Sequence, residues 1–371
     1  RDPAASVALA VLPGPRELEV FAQDAAAFLS RGDSLRVFPM LGEAEDDPEA
    51  AAARAEVLRR LRGGPGGAIP RGLVATCVQA LLQPSPDPEL EERASLHLAP
   101  GGGPGPEALA AWLAENGYRS GPEVWERGVF ARKGGIVDLW PPGAGVPSRV
   151  EFFGDEIESM RTFDPSTQRS DQRLESLRVP PARPPRGARR LLHELLPRDA
   201  VVLWRGADAL RAAAEAFAEA GALAEGARLP ALLAALDARA DVRQVFLGLP
   251  VPEGAEEAAL PVRPVEGLAD AEARLLDPAV LESRRRAVVA AAAEAAARSR
   301  AAVRVCLDTE AMAAHVRGEL AGAPGAEVRE APLSGGFEVL GARGRVRAVW
   351  LSQADLFGRG KPLVSQGGGY S

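Results

Sequence analysis

Residues Val129 to Ser170 read VFARKGGIVDLWPPGAGVPSRVEFFGDEIESMRTFDPSTQRS, short apolar runs alternating with glycine and proline turns and with charge. Within this stretch, Arg149-Val150-Glu151-Phe152-Phe153 decides the reading. Side chains alternate across a strand with a period of two. Val150 and Phe152 therefore share one face, and Arg149, Glu151 and Phe153 share the other. The first pair reads as core. Phe153 is left beside charge, where an isolated strand has no structural need for an aromatic. Either it lies under a neighbouring helix or loop, or it is exposed for binding. An aromatic beside an arginine is a pairing that protein interfaces use as a hot spot.

The segments on either side have a different rhythm. Upstream, Ser6 to Leu12 reads as a buried parallel strand and Arg16 to Leu29 as a helix. Leu35 to Phe38 is a second strand, Glu43 to Glu49 an acidic loop, Pro48 to Arg62 a helix and Gly72 to Cys77 a third strand. This alternation predicts a layered α/β domain with a mainly parallel sheet. Pro100 to Pro106 marks a boundary, followed by a helix over Glu107 to Asn116 with Gly117 as its left-handed cap. The proline-rich run Val179 to Gly187 marks the second boundary. Beyond it come a strand at Ala200 to Trp204, a helix at Ala207 to Gly221 and a strand at Val242 to Gly248. One interrupted α/β domain and two flanking ones fit this pattern equally well. A further unit starts near Asp277: a helix over Leu281 to Arg300, a strand at Val303 to Leu307, and a helix capped by Asp308 with Met312, Val316 and Leu320 at helical spacing. Val346 to Leu351 reads as a last strand and Lys361 to Ser371 as a tail.

The chain has 371 residues, 46% of them hydrophobic, enough for two or three packed domains. No apolar run reaches the ~20 residues that span a bilayer. The start at Arg1, with no signal peptide after it, reads as a fragment of a longer protein. Cys77 and Cys306 lie far apart, which suits a reducing compartment without a disulfide framework. A formal net charge of −7 argues against general nucleic-acid binding. Three dispersed histidines, His97, His193 and His315, argue against a zinc site.

No phosphate-binding G-x-x-x-x-G-K-[ST] motif occurs, and Gly358-Arg359-Gly360-Lys361-Pro362 does not substitute for one. Asp155-Glu156 reads as a turn between strands. Asp138 either satisfies backbone groups or pairs with a nearby arginine. No nucleophile set is visible.

The central residues Arg132-Lys133-Gly134-Gly135-Ile136-Val137-Asp138-Leu139, Pro141, Arg149 to Phe153, Asp155 to Ser159, Phe163-Asp164 and Gln168 to Ser170 resemble the bacterial transcription-repair coupling factors (Mfd) and, more distantly, the excision-repair protein UvrB. Val74 to Gln83 and Asp355 to Gly358 add weaker likeness. The resemblance implies a degenerate P-loop-NTPase-like (UvrB-like) α/β domain, interrupted by an inserted β-rich domain and followed by a small α/β domain. The expected domains are residues 1–103 and 187–275 for the two parts of the first, 104–186 for the insertion, 276–360 for the small domain, and 361–371 for a tail.

By the same resemblance the inserted domain binds UvrA through Arg149, Phe153 and a basic residue at Lys133, where the family usually has arginine. Arg132 is the alternative for that contact. Lysine keeps the charge but loses the bidentate fork. The implied function is recruitment of UvrA to RNA polymerase stalled at DNA lesions, starting transcription-coupled nucleotide excision repair in the cytoplasm. The fragment itself is then non-catalytic and free of cofactor. ATP and magnesium belong to motor domains elsewhere in such proteins, and RNA polymerase and DNA are met through other parts of them. The competing expectation is a UvrB-like damage-binding or nucleotide-hydrolysing repair protein. UvrB would show a tyrosine-rich hairpin, and Tyr118 and Tyr370 do not make one.

Overall fold

The structure, a computed structural model, describes residues 7–28, 35–42, 47–62, 72–183, 185–220, 228–247, 262–264, 301–320, 326–341 and 345–357. Contacts divide the chain into two units, Arg1–Leu18 with Asp33–Pro252, and Glu19–Gly32 with Glu253–Ser371.

The first unit opens with β1 (Val7–Leu12), a continuous apolar run and almost wholly buried, as a strand covered on both faces must be. Helix α1 (Pro15–Phe28), counted with the second unit from Glu19 onward, begins at a proline, which the first turn of a helix tolerates. β2 (Leu35–Phe38) and α2 (Pro48–Leu61) follow, and the Asp47 carboxylate caps α2 by accepting from the Ala50 amide at 2.9 Å. β3 (Gly72–Cys77) runs straight into α3 (Val78–Leu82). Next come β4 (Ser85–Pro86), α4 (Pro88–Ala94), β5 (Leu96–Leu98) and α5 (Pro106–Glu115). Six strands succeed them: β6 (Arg119–Ser120), β7 (Val129–Lys133), β8 (Ile136–Leu139), β9 (Ser148–Phe153), β10 (Glu156–Phe163) and β11 (Ser170–Arg173). The described part of this unit ends with β12 (Leu177–Val179), β13 (Arg189–Arg190), a short 3-10 turn at Leu192–Leu195, β14 (Val201–Arg205), α6 (Ala207–Glu219), α7 (Leu229–Asp237) and β15 (Arg243–Leu247).

Five of these strands form a parallel sheet in the order β15-β14-β1-β3-β2. β1 lies in its middle, with Ala8 opposite Leu73 on one side and Val201 on the other. Strands from before residue 78 and after residue 200 thus share one sheet. The residues between them build a second sheet, β11-β10-β9-β8-β7-β6, antiparallel except at β6–β7. Two short antiparallel ladders, β12–β5 and β13–β4, join the chain entering this region to the chain leaving it.

The inner face of the six-stranded sheet is closed by α5. Leu109 and Leu113, at i and i+4, reach a core shared with Phe130, Val137, Leu139, Val150, Ile157 and Met160. Each fully buried leucine contributes about 1.5 to 3 kcal/mol relative to an exposed one. The exit is pinned by hydrogen bonds: the Tyr118 hydroxyl donates to the Pro180 carbonyl at 2.7 Å, and the Ala182 and Arg183 amides donate to the Asn116 carbonyl. Gly117 takes the expected left-handed conformation after α5, with φ +90°.

In the second unit, β16 (Val262–Pro264), β17 (Ala302–Leu307), β18 (Ala326–Glu330), β19 (Phe337–Leu340) and β20 (Val346–Leu351) form a mixed sheet in the order β16-β19-β20-β17-β18. Helices α8 (Glu310–Glu319) and α9 (Gln353–Phe357) belong with it. Val316 and Leu320 are buried, as their spacing predicts. The cap of α8 differs from the expectation at Asp308. Thr309 is the N-cap, its hydroxyl accepting from the Met312 amide, while the Asp308 amide is taken by the side chain of Gln353. The Glu19–Gly32 segment belongs to this unit through the Phe28 ring, 4.3 Å from the Trp350 ring centre, and through Asp24, which accepts from the amide and hydroxyl of Ser334. The helix expected over Leu281 to Arg300 and the tail from Lys361 lie outside the described residues. The architecture is mixed α/β, as the alternation of strands and helices predicts. Among the described residues no helix is long and apolar enough to cross a membrane.

Candidate functional site

Two tight turns organise the outer face of the six-stranded sheet. Gly134-Gly135 joins β7 to β8, and Gly154-Asp155 joins β9 to β10. Gly134 and Gly154 have φ of +63° and +62°, and a two-residue hairpin with positive φ at its first position favours glycine there. The turns set the register: Lys133 opposite Ile136, Ile136 opposite Glu151, Asp138 opposite Arg149, and Phe153 opposite Glu156. Paired residues share a face. Lys133, Ile136, Asp138, Arg149, Glu151 and Phe153 therefore look outward together, while Val137, Val150 and Phe152 look into the core beneath α5.

Phe153 is 80% exposed, the most open of the large hydrophobic residues, and Ile136 is partly exposed on a diagonal from it. Arg132 takes the opposite parity from Lys133. It pairs with Val137 on the core-side face and forms an ion pair with Glu107 of α5. Of the two alternative basic residues, Lys133 is the one on the face of Arg149 and Phe153.

The charges on this face differ in how firmly they are held. Arg149 grips Asp138 with both arms of its fork, Nε to Oδ1 at 2.7 Å and Nη2 to Oδ2 at 2.9 Å, with the two side chains only 19% and 13% exposed. Its guanidinium also lies 4.9 Å over the Phe163 ring and donates to the carbonyl of Gln168. Gln168 is in the left-handed region at φ +58°, unusual for a residue with a side chain. The hydrogen bonds it donates to Asp138 push the Arg149 pKa above its ordinary value. Lys133, in contrast, pairs among the described residues with Glu123, at 3.4 Å and well exposed. Exposed pairs of this kind contribute at most about 1 kcal/mol and exchange readily. Glu151 is occupied by the Ser159 hydroxyl and lies 3.9 Å from Arg161.

Among the described residues no group of His, Cys, Asp or Glu is arranged to hold a metal ion. Cys77 and Cys306 are buried, and burial raises both thiol pKa values, that of Cys306 to about 11. What the face offers is an exposed aromatic, an aliphatic neighbour and two loosely held cations, Lys133 and Arg161. Sequence reasoning left the Asp138 partner open, and the structure identifies it as Arg149. It missed Trp125, which is 57% exposed in the loop before β7. A lone tryptophan in a turn segment carries no periodic signal, so nothing local marks it.

The family model described as "UvrB interaction domain" matches residues 96–184, which contain this sheet and α5. Over 136 residues the chain is 32% identical to the transcription-repair-coupling factor of Bacillus subtilis, a match covering 37% of this chain and 11% of that protein. It is 41% identical over 76 residues to the protein of the same name from Escherichia coli, covering 20% and 7%. It is 37% identical over 89 residues to UvrABC system protein B of Methanothermobacter thermautotrophicus, covering 24% and 14%. The similarity to transcription-repair-coupling factors expected from the central motif is therefore present, and it takes in about a tenth of the length of these relatives.

Proposed function

We propose that the chain acts in transcription-coupled repair by docking UvrA on the outer face of the six-stranded sheet, with Phe153 as anchor and Lys133 as the exchangeable cation. The observation that carries the reading is Phe153, 80% exposed within the segment similar to the UvrB interaction domain. An exposed aromatic flanked by charge and set on a rigid strand end is what an interface hot spot requires. Arg149 serves the same face at one remove: its fork is committed to Asp138, so it fixes the strand and offers a partner only its remaining edge. Arg132, tied to Glu107 on the other face, takes no part.

In this reading residues 104–186 are an inserted domain within a degenerate P-loop-like domain made of residues 1–103 and 187–275. The segment works without ATP, magnesium or any chemistry of its own, in the cytoplasm. Contact with RNA polymerase and DNA falls to other parts of such a protein.

The test is the affinity for purified UvrA of four chains: wild type, Phe153→Ala, Lys133→Glu and Arg132→Ala. The first two substitutions should each weaken binding by about 2 kcal/mol or more, and Arg132→Ala by less than about 0.5 kcal/mol. Unchanged binding by the Phe153 and Lys133 variants would remove this face from the reading. Saturable ATP hydrolysis by the chain would instead favour the nucleotide-hydrolysing alternative.

A further inference from the structure

A cleft of about 510 Å³ opens in the first unit, away from the docking face. Small-molecule sites commonly measure ~300 to 1,000 Å³. Its lining is apolar and rigid in part, with Pro86, Pro141, Pro142, Pro180 and Pro181. The rest is largely basic. Arg36, Arg54, Arg59, Arg178 and Arg189 line it, against Glu56 and Glu91. Those two acids are already engaged, Glu56 by Arg59 and Arg60, and Glu91 by Arg178.

The surplus charge is concentrated around Arg54. This residue is 1% exposed, and its hydrogen-bond partners among the described residues are neutral: Ser85 Oγ, Pro39 O, and both the side-chain and main-chain oxygens of Gln83. Burial pulls its pKa down to about 9, and Arg189 adds repulsion. A buried charge without a counter-charge is costly. The guanidinium lies 4.1 Å over the Phe38 ring, which offsets part of that cost. Its neighbours keep donors in reserve. Arg36 gives one hydrogen bond, to the Leu35 carbonyl, and Arg189 one, to the Pro84 carbonyl. The Arg59 Nε is buried with no partner. Among the described residues, no carboxylate pairs with Arg36, Arg54 or Arg189.

We propose that this cleft binds a small organic phosphate of mononucleotide size, its phosphate held by Arg36, Arg59 and Arg189 beside the fixed charge of Arg54 and its flat apolar portion resting on the prolines. A phosphate dianion supplies a counter-charge to these arginines and accepts several charge-assisted hydrogen bonds at once. Proline rings suit a planar ring and contribute no competing donors. The site is independent of the docking face, so its failure leaves the UvrA reading untouched.

The test is calorimetric titration of the chain with AMP, inorganic phosphate and adenosine. AMP should bind saturably, one per chain, inorganic phosphate should displace it at higher concentration, and adenosine at matched concentration should give no heat. The double variant Arg36→Glu, Arg189→Glu should weaken AMP binding at least about tenfold, the scale of a lost charge-assisted hydrogen bond. Ala51→Phe, which fills the cleft from α2 while leaving every arginine in the sequence, should do the same and decides the matter if the double variant does not fold. Absence of AMP binding, or binding unaltered by these substitutions, overturns the proposal.

Discussion

Phe153 and Arg149 stand four residues apart on the same strand face, yet their removal should have opposite consequences. Phe153 is open to solvent and supports nothing beneath it. Phe153→Ala should leave the stability of the chain within about 0.5 kcal/mol of wild type in urea unfolding. Asp138→Ala, which strips the fork of Arg149 of both its bonds, should cost about 1 to 3 kcal/mol in the same measurement. His193 is a third residue with a measurable signature. It is buried, its Nδ1 has no partner, and burial lowers its pKa, with Glu194 and Arg239 facing it. Below pH ~6.5 the unfolded chain takes up the proton first, so this histidine favours folding above that value and progressively less below it. Wild type should therefore lose more stability between pH 7.5 and 5.5 than His193→Gln does. The alternation of Val150, Glu151, Phe152 and Phe153 was readable because strand parity is local. The partnership of Asp138 and Arg149 needed a register that only the two turns supply. Arg54 was invisible, because an arginine within a run of alanines looks like a solvated helix face until the elements around it close.

At the level of elements, periodicity placed most helices and strands, and boundaries were the weaker part. The start of α8 shows why. Asp308 and Thr309 are both good capping residues and adjacent, so spacing alone does not separate them. The backbone decides: Thr309 is extended and its hydroxyl reaches the Met312 amide, while the half-buried Asp308 carboxyl is pushed above its ordinary pKa by desolvation. Thr309→Ala should cost about 1 kcal/mol. Asp308→Asn should be neutral or slightly stabilising at pH 7, because a carboxylate whose folded pKa is raised weakens the fold once it is ionised. Equilibrium unfolding of the two variants side by side checks both statements.

Across the whole molecule, the order of strands in the parallel sheet is what local reading could not supply. β1 pairs with β3 and with β14, and Ala8 meets Val201, 193 positions further along the chain (201 − 8). A hydrophobic run records that it will be buried, and leaves no trace of which distant strand will cover it. The six-stranded sheet is different, since its core is drawn almost wholly from Leu98 to Val179. Residues 96–184 expressed alone should accordingly unfold cooperatively and show dispersed amide resonances. Residues 1–103 alone should not, for want of β14 and β15.

The central position of β1 also sets a timetable for synthesis. At ~5 to 20 residues per second, β14 emerges from the ribosome roughly 10 to 40 s after β1. For that interval one edge of an apolar strand has no neighbour, and such an edge is a template for pairing with another nascent chain. The antiparallel sheet and α5 are translated within the same interval and are complete before β14 appears. A nascent chain therefore carries a finished docking module on a half-built scaffold, and the scaffold, not the module, is where slow or crowded translation should cause loss by aggregation.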